Sequence, residues 1–583
     1  MIIPVCPNDF YDKLMNDEFS KGGEYGVYAP LFLEKKKFTW ETRSIHNVIF
    51  NELVTIQNID IKFGIHFVNC QFKKGIHFIN VTNTTENSSL LNLDDNERGI
   101  ILSNCELDED VLVNSCNIRR GLLIQSESIL KKITIESSKI QYDGLKIDNC
   151  TISIIDIVDC VLKLDVRSST IGFLRVQSNV GNVSMVNSKF TNWTKFWNIE
   201  CAESITLNNN VFEGTFSIEG SRINKINIHG DEFYRESKLI NNDTSLKETK
   251  TYLNQLYITD ANFIEGFEFD GKGLCINKIS LPITSSFKGI LKFYNWSIKE
   301  AFISGINQNL NLIFDKISLR LIIFESFSNF GIVSFNSCCA DNKIFKTDEG
   351  LHKESSLIVF DTSFGNTKFY EFDFNSFDFI NMRNTSFEGI EVSNTIWFSD
   401  DKLRIAGKFP VDAENFRRKR ELYRQIKQAL RSKGNQIESL EFQAREMRAY
   451  RDELRASKKY SVGDKVIMIV QQTNNYGLSW LKALKLIIII TFITYSFCLP
   501  LFSVKMHYDI DSEFISCKVL LGEFIDNLPT FIQMLNPARS FSNTYGNNVN
   551  NLNLLHFVDL LHRVVLGVLI FQLISSFRRL SNK

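Results

Sequence analysis

Proline is scarce in this chain, eight in 583 residues. That favours long stretches of laddered backbone, because proline cannot donate to a sheet and breaks helices. The twelve cysteines include no CxxC pair and no Cys/His cluster at metal-ligand spacing. This argues against zinc or a disulfide framework and for reduced, buried thiols. The amino terminus, MIIPVCPNDFYDKL, has no basic stretch followed by an apolar one, so no secretory signal is expected and the large amino-terminal region is placed inside the cell. P-loop, GxSxG, HExxH and kinase signatures are missing. So is the dense group of carboxylates along one strand stack that extracellular β-helix lyases and hydrolases use. No enzymatic activity and no cofactor are expected.

Net charge is also nearly absent, −1 overall, but it conceals a division. Residues 1–409 carry about −10, residues 410–465 carry +6, and residues 466–583 carry +3. A mildly acidic body is thus joined through a basic neck to the carboxy-terminal region, and the sign of that neck suits the negatively charged cytoplasmic leaflet.

What the chain has in abundance is a short repeat. From about residue 45 to 409, runs of alternating apolar residues end in Asn, Ser or Asp followed by Cys or Ser, as in IHFVNCQF (65–72), GLKIDNCTI (144–152) and VSMVNSKF (183–190). The polar position recurs at Asn149, Asp159, Ser168, Ser178 and Asn187, a step of 9 or 10 residues, and two steps make one coil. Period-2 alternation turns Ile, Val, Leu and Phe inward, and the polar corner residues stack from coil to coil. The expected fold is therefore mainly β: a right-handed parallel β-helix, with residues 1–44 as its end cap and loops projecting near 235–255 and 340–355. Cys70, Cys105, Cys150 and Cys160 fall at strand ends as packing residues.

After Phe409-Pro410 the pattern becomes helical. Phe416, Leu422, Tyr423, Ile426 and Leu430 recur at helical spacing, Gly434-Asn435 interrupts, and Ile437, Leu440, Phe442, Met447 and Leu454 resume, predicting an α-helical hairpin in a neck of residues 410–477. The basic run 417–420 reads as a solvated helix face, with nucleic acid or lipid headgroups as the alternative. The stretch 460–476 leads to the membrane and fits its surface with Val466, Ile467 and Ile469 inward.

Residues 478–583 read as a two-span transmembrane domain. Leu486 to Val504 is uncharged over 19 residues, long enough to cross a bilayer core at roughly 28 Å. Leu554 to Phe577 is a second span, polar in its first half. Lys482 and Lys485 before the first span, and Arg578, Arg579 and Lys583 after the second, place both ends in the cytoplasm. Between the spans, Phe514 to Leu535 forms either a re-entrant pore helix or an amphipathic helix on the outer surface, ended by Asn536-Pro537. The TVGYG filter of potassium channels is absent, and Tyr545-Gly546 alone makes no filter.

In the second span His556, Asp559 and Arg563 share one helical face, with His562 beside them. Ionisable groups at membrane depth face a bundle interior, an aqueous path or a partner. Two spans are too few to enclose them, so several chains around a common axis are expected if these residues are deep, with the four as pore-lining or gating residues; the alternative sets 554–563 at the outer interface. On the solenoid, Arg119-Arg120 and Lys131-Lys132, about half a coil apart, could receive the phosphates of a nucleotide or oligonucleotide from one face.

The stretch AENFRRKRELYRQIKQALRSKGNQIESLEFQAREMR (413–448), followed by two spans and the closing GVLIFQLISSFRRLSNK (567–583), resembles the carboxy-terminal module of bacterial pentapeptide-repeat and β-helix membrane proteins with an ion-channel-like ending. Within that group the architecture is similar to the membrane effectors of Hailong antiphage defence systems. The resemblance implies a homo-oligomer, a tetramer, in the bacterial cytoplasmic (inner) membrane, which depolarises that membrane once released from a ligand-held closed state. It further implies a single-stranded DNA oligomer as the ligand, bound by the cytoplasmic β-helix domains, and a partner enzyme encoded in the same defence operon. The reading from a different class is a membrane-anchored scaffold whose β-helix binds a protein.

Overall fold

The computed structural model describes residues 2–34, 43–61, 64–83, 99–240, 251–340, 354–405, 411–457, 461–503, 517–546 and 552–581. They fall into two compact units, residues 1–407 and 408–583. The first is a parallel β-solenoid of about 16 turns, as the alternation requires. Every strand pair within it is parallel, each coil bonding to the one a full turn away; Leu122, Leu145, Leu164, Val183 and Ile205, for example, form one inward column.

Steps in that column are 23, 19, 19 and 22 residues. The 9-to-10-residue half-step read from the sequence therefore belongs to the tight coils between residues 145 and 183. Elsewhere the half-step is 11, as at Asn47, Asn58, Asn69 and Asn80. These corners turn through the left-handed region, with φ of 55°, 53°, 54° and 51°. Asn, Asp and Ser recur there because a short polar side chain tolerates that conformation better than a branched one and bonds locally. The corner amides also bond to one another across coils: Asn69 Nδ2 donates to Asn47 Oδ1 at 3.2 Å and Asn104 Nδ2 to Asn69 Oδ1 at 2.8 Å.

The residue after each corner points inward. Cys70, Cys105, Cys116, Cys150, Cys160 and Cys338 all occupy this place and are buried. Burial pushes the Cys150 and Cys338 thiols up to about 12, so they pack rather than react. In one such column the backbone N–H is satisfied by the next side chain: Cys150 N by Ser169 Oγ (3.0 Å), Ser169 N by Ser188 Oγ (3.2 Å), Ser188 N by Asn210 Oδ1 (3.0 Å) and Asn210 N by Asp231 Oδ1 (2.8 Å).

Asp231, wholly buried, ends this polar file and accepts in addition from Asn210 Nδ2 (2.8 Å) and His229 N (3.0 Å). Desolvation raises its carboxyl to about 7 despite those bonds. Because the folded value lies above the unfolded one, the unfolded chain gives up this proton first as pH rises. The group's contribution to stability is complete below about pH 4 and is lost as pH climbs toward and through 7, by roughly 4 kcal/mol at the limit. Chemical denaturation of the full chain in detergent between pH 5 and 8 should show this loss, and Asp231→Asn should flatten the profile; parallel profiles for the two proteins would contradict it.

The solenoid begins earlier than the sequence indicated. Ile3–Val5 pairs with Tyr25–Val27, which pairs with Val48–Phe50, so the first coils lie inside residues 1–44. The cap proper is the short helix α1, Pro7–Met15, which closes the open end with Phe10 and Leu14, Phe10 resting on Phe19 and Phe50. The expected loop regions fall largely on residues 241–250 and 341–353, outside the described residues.

Inside, phenylalanines stack from coil to coil. Phe269, Phe293, Phe314, Phe335 and Phe369 follow one another with ring centroids 5.0, 5.2, 5.0 and 5.5 Å apart.

Candidate functional site

The second unit opens with the hairpin. Helices α2 (Ala413–Ser432) and α3 (Gln436–Ser457) flank Gly434-Asn435 and bury Leu422, Tyr423, Ile426 and Leu430 on α2, Tyr423 meeting Phe442 of α3 at 5.8 Å, while Ala444 of α3 packs with Met468 and Tyr476. The basic run is engaged within the hairpin: Arg420 pairs with Glu453 at 3.0 Å and Arg418 with Glu414 at 3.2 Å, beside Lys427–Glu446 at 2.6 Å. Helix α4, Val462–Gln472, is capped by Ser461 and buries Met468, leaving Val466, Ile467 and Ile469 exposed.

A tight elbow follows. Asn475, Tyr476 and Gly477 are consecutively left-handed (φ 51°, 58° and 94°), a conformation that costs the two non-glycine residues energy unless their surroundings hold it. Asn474 supplies part of that hold, its Oδ1 accepting from Gly477 N at 2.9 Å while its Nδ2 donates to Gln572 Oε1 at 2.6 Å. Arg448 of α3 reaches Asn475 Oδ1 at 3.2 Å.

Among the described residues, helices α5 (Trp480–Phe502) and α9 (Leu552–Ser581) are the two that are long and apolar enough to cross a membrane. They pack antiparallel: Trp480 meets Phe577 at 5.2 Å, Ile487 clusters with Leu566 and Leu569, and Thr491 meets His562. Between them come α6 (Cys517–Asp526), α7 (Leu528–Met534) and α8 (Phe541–Tyr545). Phe524 packs on Tyr495 (4.9 Å) and Phe492 (5.4 Å), and Phe531 on Tyr495 (5.6 Å). Leu535 reaches the Ile487–Leu566 cluster, and Tyr545 returns to Phe502 at 5.3 Å. The chain thus runs along the helix pair toward its middle, turns at Asn536-Pro537 and comes back toward Phe502. The first residues of the predicted stretch, 514–516, lie outside the described residues.

A buried charged cluster holds the turn. Arg539, at 6% exposure, donates through Nη1 to the Met534 carbonyl at 2.8 Å and through Nη2 to Asp559 Oδ1, with His562 Nδ1 at 3.3 Å. Tyr545 Oη donates to the same Asp559 oxygen at 3.0 Å, and Arg563 Nε approaches its other oxygen at 2.7 Å. His562 Nε2 lies 3.2 Å from Thr491 Oγ1, and Thr491 is eleven residues from either end of α5. The cluster therefore reaches the midpoint of the helix pair.

Of the four residues singled out in the second span, the structure unites Asp559, His562 and Arg563. His556 lies apart, exposed and stacked on Phe541 at 3.7 Å. The expectation that only several chains could enclose the buried charges is corrected: Arg539 and Tyr545 of the same chain do so. Sequence reasoning missed both. Arg539 had a signal, as the one ionisable residue besides His556 between Asp526 and Asp559 apart from tyrosine.

The solenoid's two basic pairs stand on different elements. Arg119-Arg120 occupies the turn before Leu122–Gln125, whereas Lys131 and Lys132 stand in the strand Ile129–Glu136 and pair with Glu109 (3.2 Å) and Asp110 (3.4 Å) of the preceding coil. A groove of about 400 Å³ lies elsewhere, among Arg222, Asn224, Tyr252, Asn254 and Asn277.

Fold and site together define a class: a β-solenoid carrying a helical hairpin and two apolar helices that pack against a charge-clamped reversal of the chain. No family model, curated protein or solved structure matches the chain.

Proposed function

We propose that this protein is a membrane effector whose two-span module assembles with copies of itself, four by resemblance, into an ion-conducting pore in the bacterial cytoplasmic membrane. The observation that carries the reading is the re-entrant turn at residues 535–540, whose backbone leaves helical geometry near the midpoint of two spanning helices. In a bilayer, irregular backbone at that depth is tolerated only where protein or water lines it. A buried ion-pair cluster at the same level is costly for a simple anchor and is retained in membranes where it serves transport or assembly. One chain leaves Ile532, Gln533 and Asn536 on one side of the turn exposed, so further copies are needed to screen that side from lipid.

Control belongs to the same proposal. The solenoid, on the cytoplasmic side by the basic flanks of the spans, binds the ligand, for which the resemblance points to a DNA oligomer; the hairpin and the elbow pass the change to the spans. A ligand that swings such an equilibrium from 1:99 to 99:1 must prefer one state by roughly 5.5 kcal/mol, which several subunits sharing one ligand supply. Depolarisation then halts the infected cell.

The test is membrane potential, read with a voltage-sensitive dye in bacteria expressing the full chain or a chain lacking residues 478–583, with and without phage infection. Depolarisation with the full chain alone is expected. A potential that stays flat under both conditions would replace the pore by the scaffold reading, in which the helices only anchor the solenoid.

A further inference from the structure

At the level of Thr491 the module presents two different surfaces. Along α5 the exposed residues from Ile488 to Phe497 are Ile488, Ile489, Phe492, Ile493 and Phe497, all apolar, and Ser496, whose hydroxyl donates back to the Phe492 carbonyl at 2.9 Å. Along α9 they are apolar as well, with Leu560, Leu561 and Val564 exposed at 63%, 57% and 59%. The re-entrant tip differs. From Gln533 to Ser540 the buried residues are Met534 and Arg539, and the exposed ones are Gln533, Asn536, Ala538 and Ser540. The guanidinium of Arg539 points away from that exposed side, bonding the Met534 carbonyl at 2.8 Å and the Asn536 carbonyl at 3.3 Å from behind.

Lipid is a poor neighbour for amide and hydroxyl side chains on an irregular turn, because nothing in hydrocarbon replaces their hydrogen bonds to water. The apolar faces of α5 and α9 are suited to lipid and to packing against other subunits. The tip is suited to neither.

Resting on the pore reading, we infer that the aqueous path is lined at its middle by the neutral side chains of Gln533, Asn536 and Ser540. The charged residues Arg539, Asp559 and Arg563 form a positioning clamp behind that lining and do not meet the permeating ion. The division is visible in the burial for Arg539 and Asp559, 6% and 3% exposed within one chain, while Arg563, 26% exposed along its side chain, is held by Nε at 2.7 Å from Asp559. A ring of neutral side chains presents no fixed charge with which to sort ions by sign, unlike the rings of Asp, Glu, Arg or Lys that line charge-selective pores.

Two measurements on the full chain in membrane vesicles test this. In a background where Cys498 and Cys517 are serine, Asn536→Cys and Ser540→Cys should react with a charged, membrane-impermeant methanethiosulfonate, read by mass spectrometry of the membrane peptides. Ile489→Cys, Ile493→Cys and Leu561→Cys should stay unmodified. In planar bilayers Asn536→Asp should raise the cation-to-anion permeability ratio by about threefold or more, as a ring of carboxylates does.

Modification at 536 and 540 without any conductance or depolarisation would leave the lining and remove the pore. Depolarisation with 536 and 540 unreactive, while His556→Cys or Arg563→Cys is modified, would leave the pore and overturn the lining. Asn536→Asp conducting with an unchanged ratio would also overturn it.

Discussion

Arg539→Met should strongly destabilise the second unit of this protein, residues 408–583. Asp559 would keep only Arg563 and Tyr545 as partners in a site 3% exposed, and the Met534 carbonyl would lose its donor. Removing one member of a buried ion pair costs about 3–5 kcal/mol, because the remaining charge is stranded. For a unit of residues 408–583 that corresponds to a fall of roughly 10 °C in the melting temperature of the detergent-solubilised chain. The double variant Arg539→Met/Asp559→Leu should recover most of the loss, since replacing both charges by apolar groups of similar size is close to neutral. A single variant that melts with the wild type would show that Arg539 is not the clamp.

In the solenoid the largest effect is expected from Phe314→Ala. Its ring is fully buried at the middle of the five-ring stack, with Phe293 at 5.2 Å on one side and Phe335 at 5.0 Å on the other. Truncating a buried phenylalanine costs about 3–5 kcal/mol in transfer and cavity terms. A solenoid transmits that cost mainly to the adjacent coils, because each coil contacts only its neighbours. Limited proteolysis of the full chain should therefore cut first near residues 293–335. Phe330→Ala is the control: that ring is 68% exposed, and its loss should change neither cutting nor denaturation midpoint.

The solenoid was legible because its signal is repeated many times over. Alternation places Ile, Val and Leu inward, and Asn149, Asp159, Ser168 and Asn187 sit at corners with positive φ as their spacing required, whereas Ser178 falls one place later, in the buried file, its hydroxyl accepting from Cys160 N at 3.1 Å. The first coils were missed because Tyr25–Val27 and Leu31–Glu34 are short and lack the Asn-Cys corner that marked later coils. The two apolar helices were legible from length and charge alone. The clamp was not: Arg539 and Asp559 are 20 residues apart on different elements, and only the reversal at Asn536-Pro537 brings them together.

The bond from Asn474 to Gln572 fixes α9 at a point thirteen residues from Asp559 along the same helix. A rigid helix of that reach is a lever arm of about 20 Å, so a tilt of about 10° at the elbow end carries the Asp559 carboxylate about 3 Å sideways. That displacement is as long as a hydrogen bond. A rotation of the neck too small to notice at its own end would thus be enough to pull Asp559 off Arg539, and mechanical gain is supplied by the length of an unbroken helix without any additional moving part.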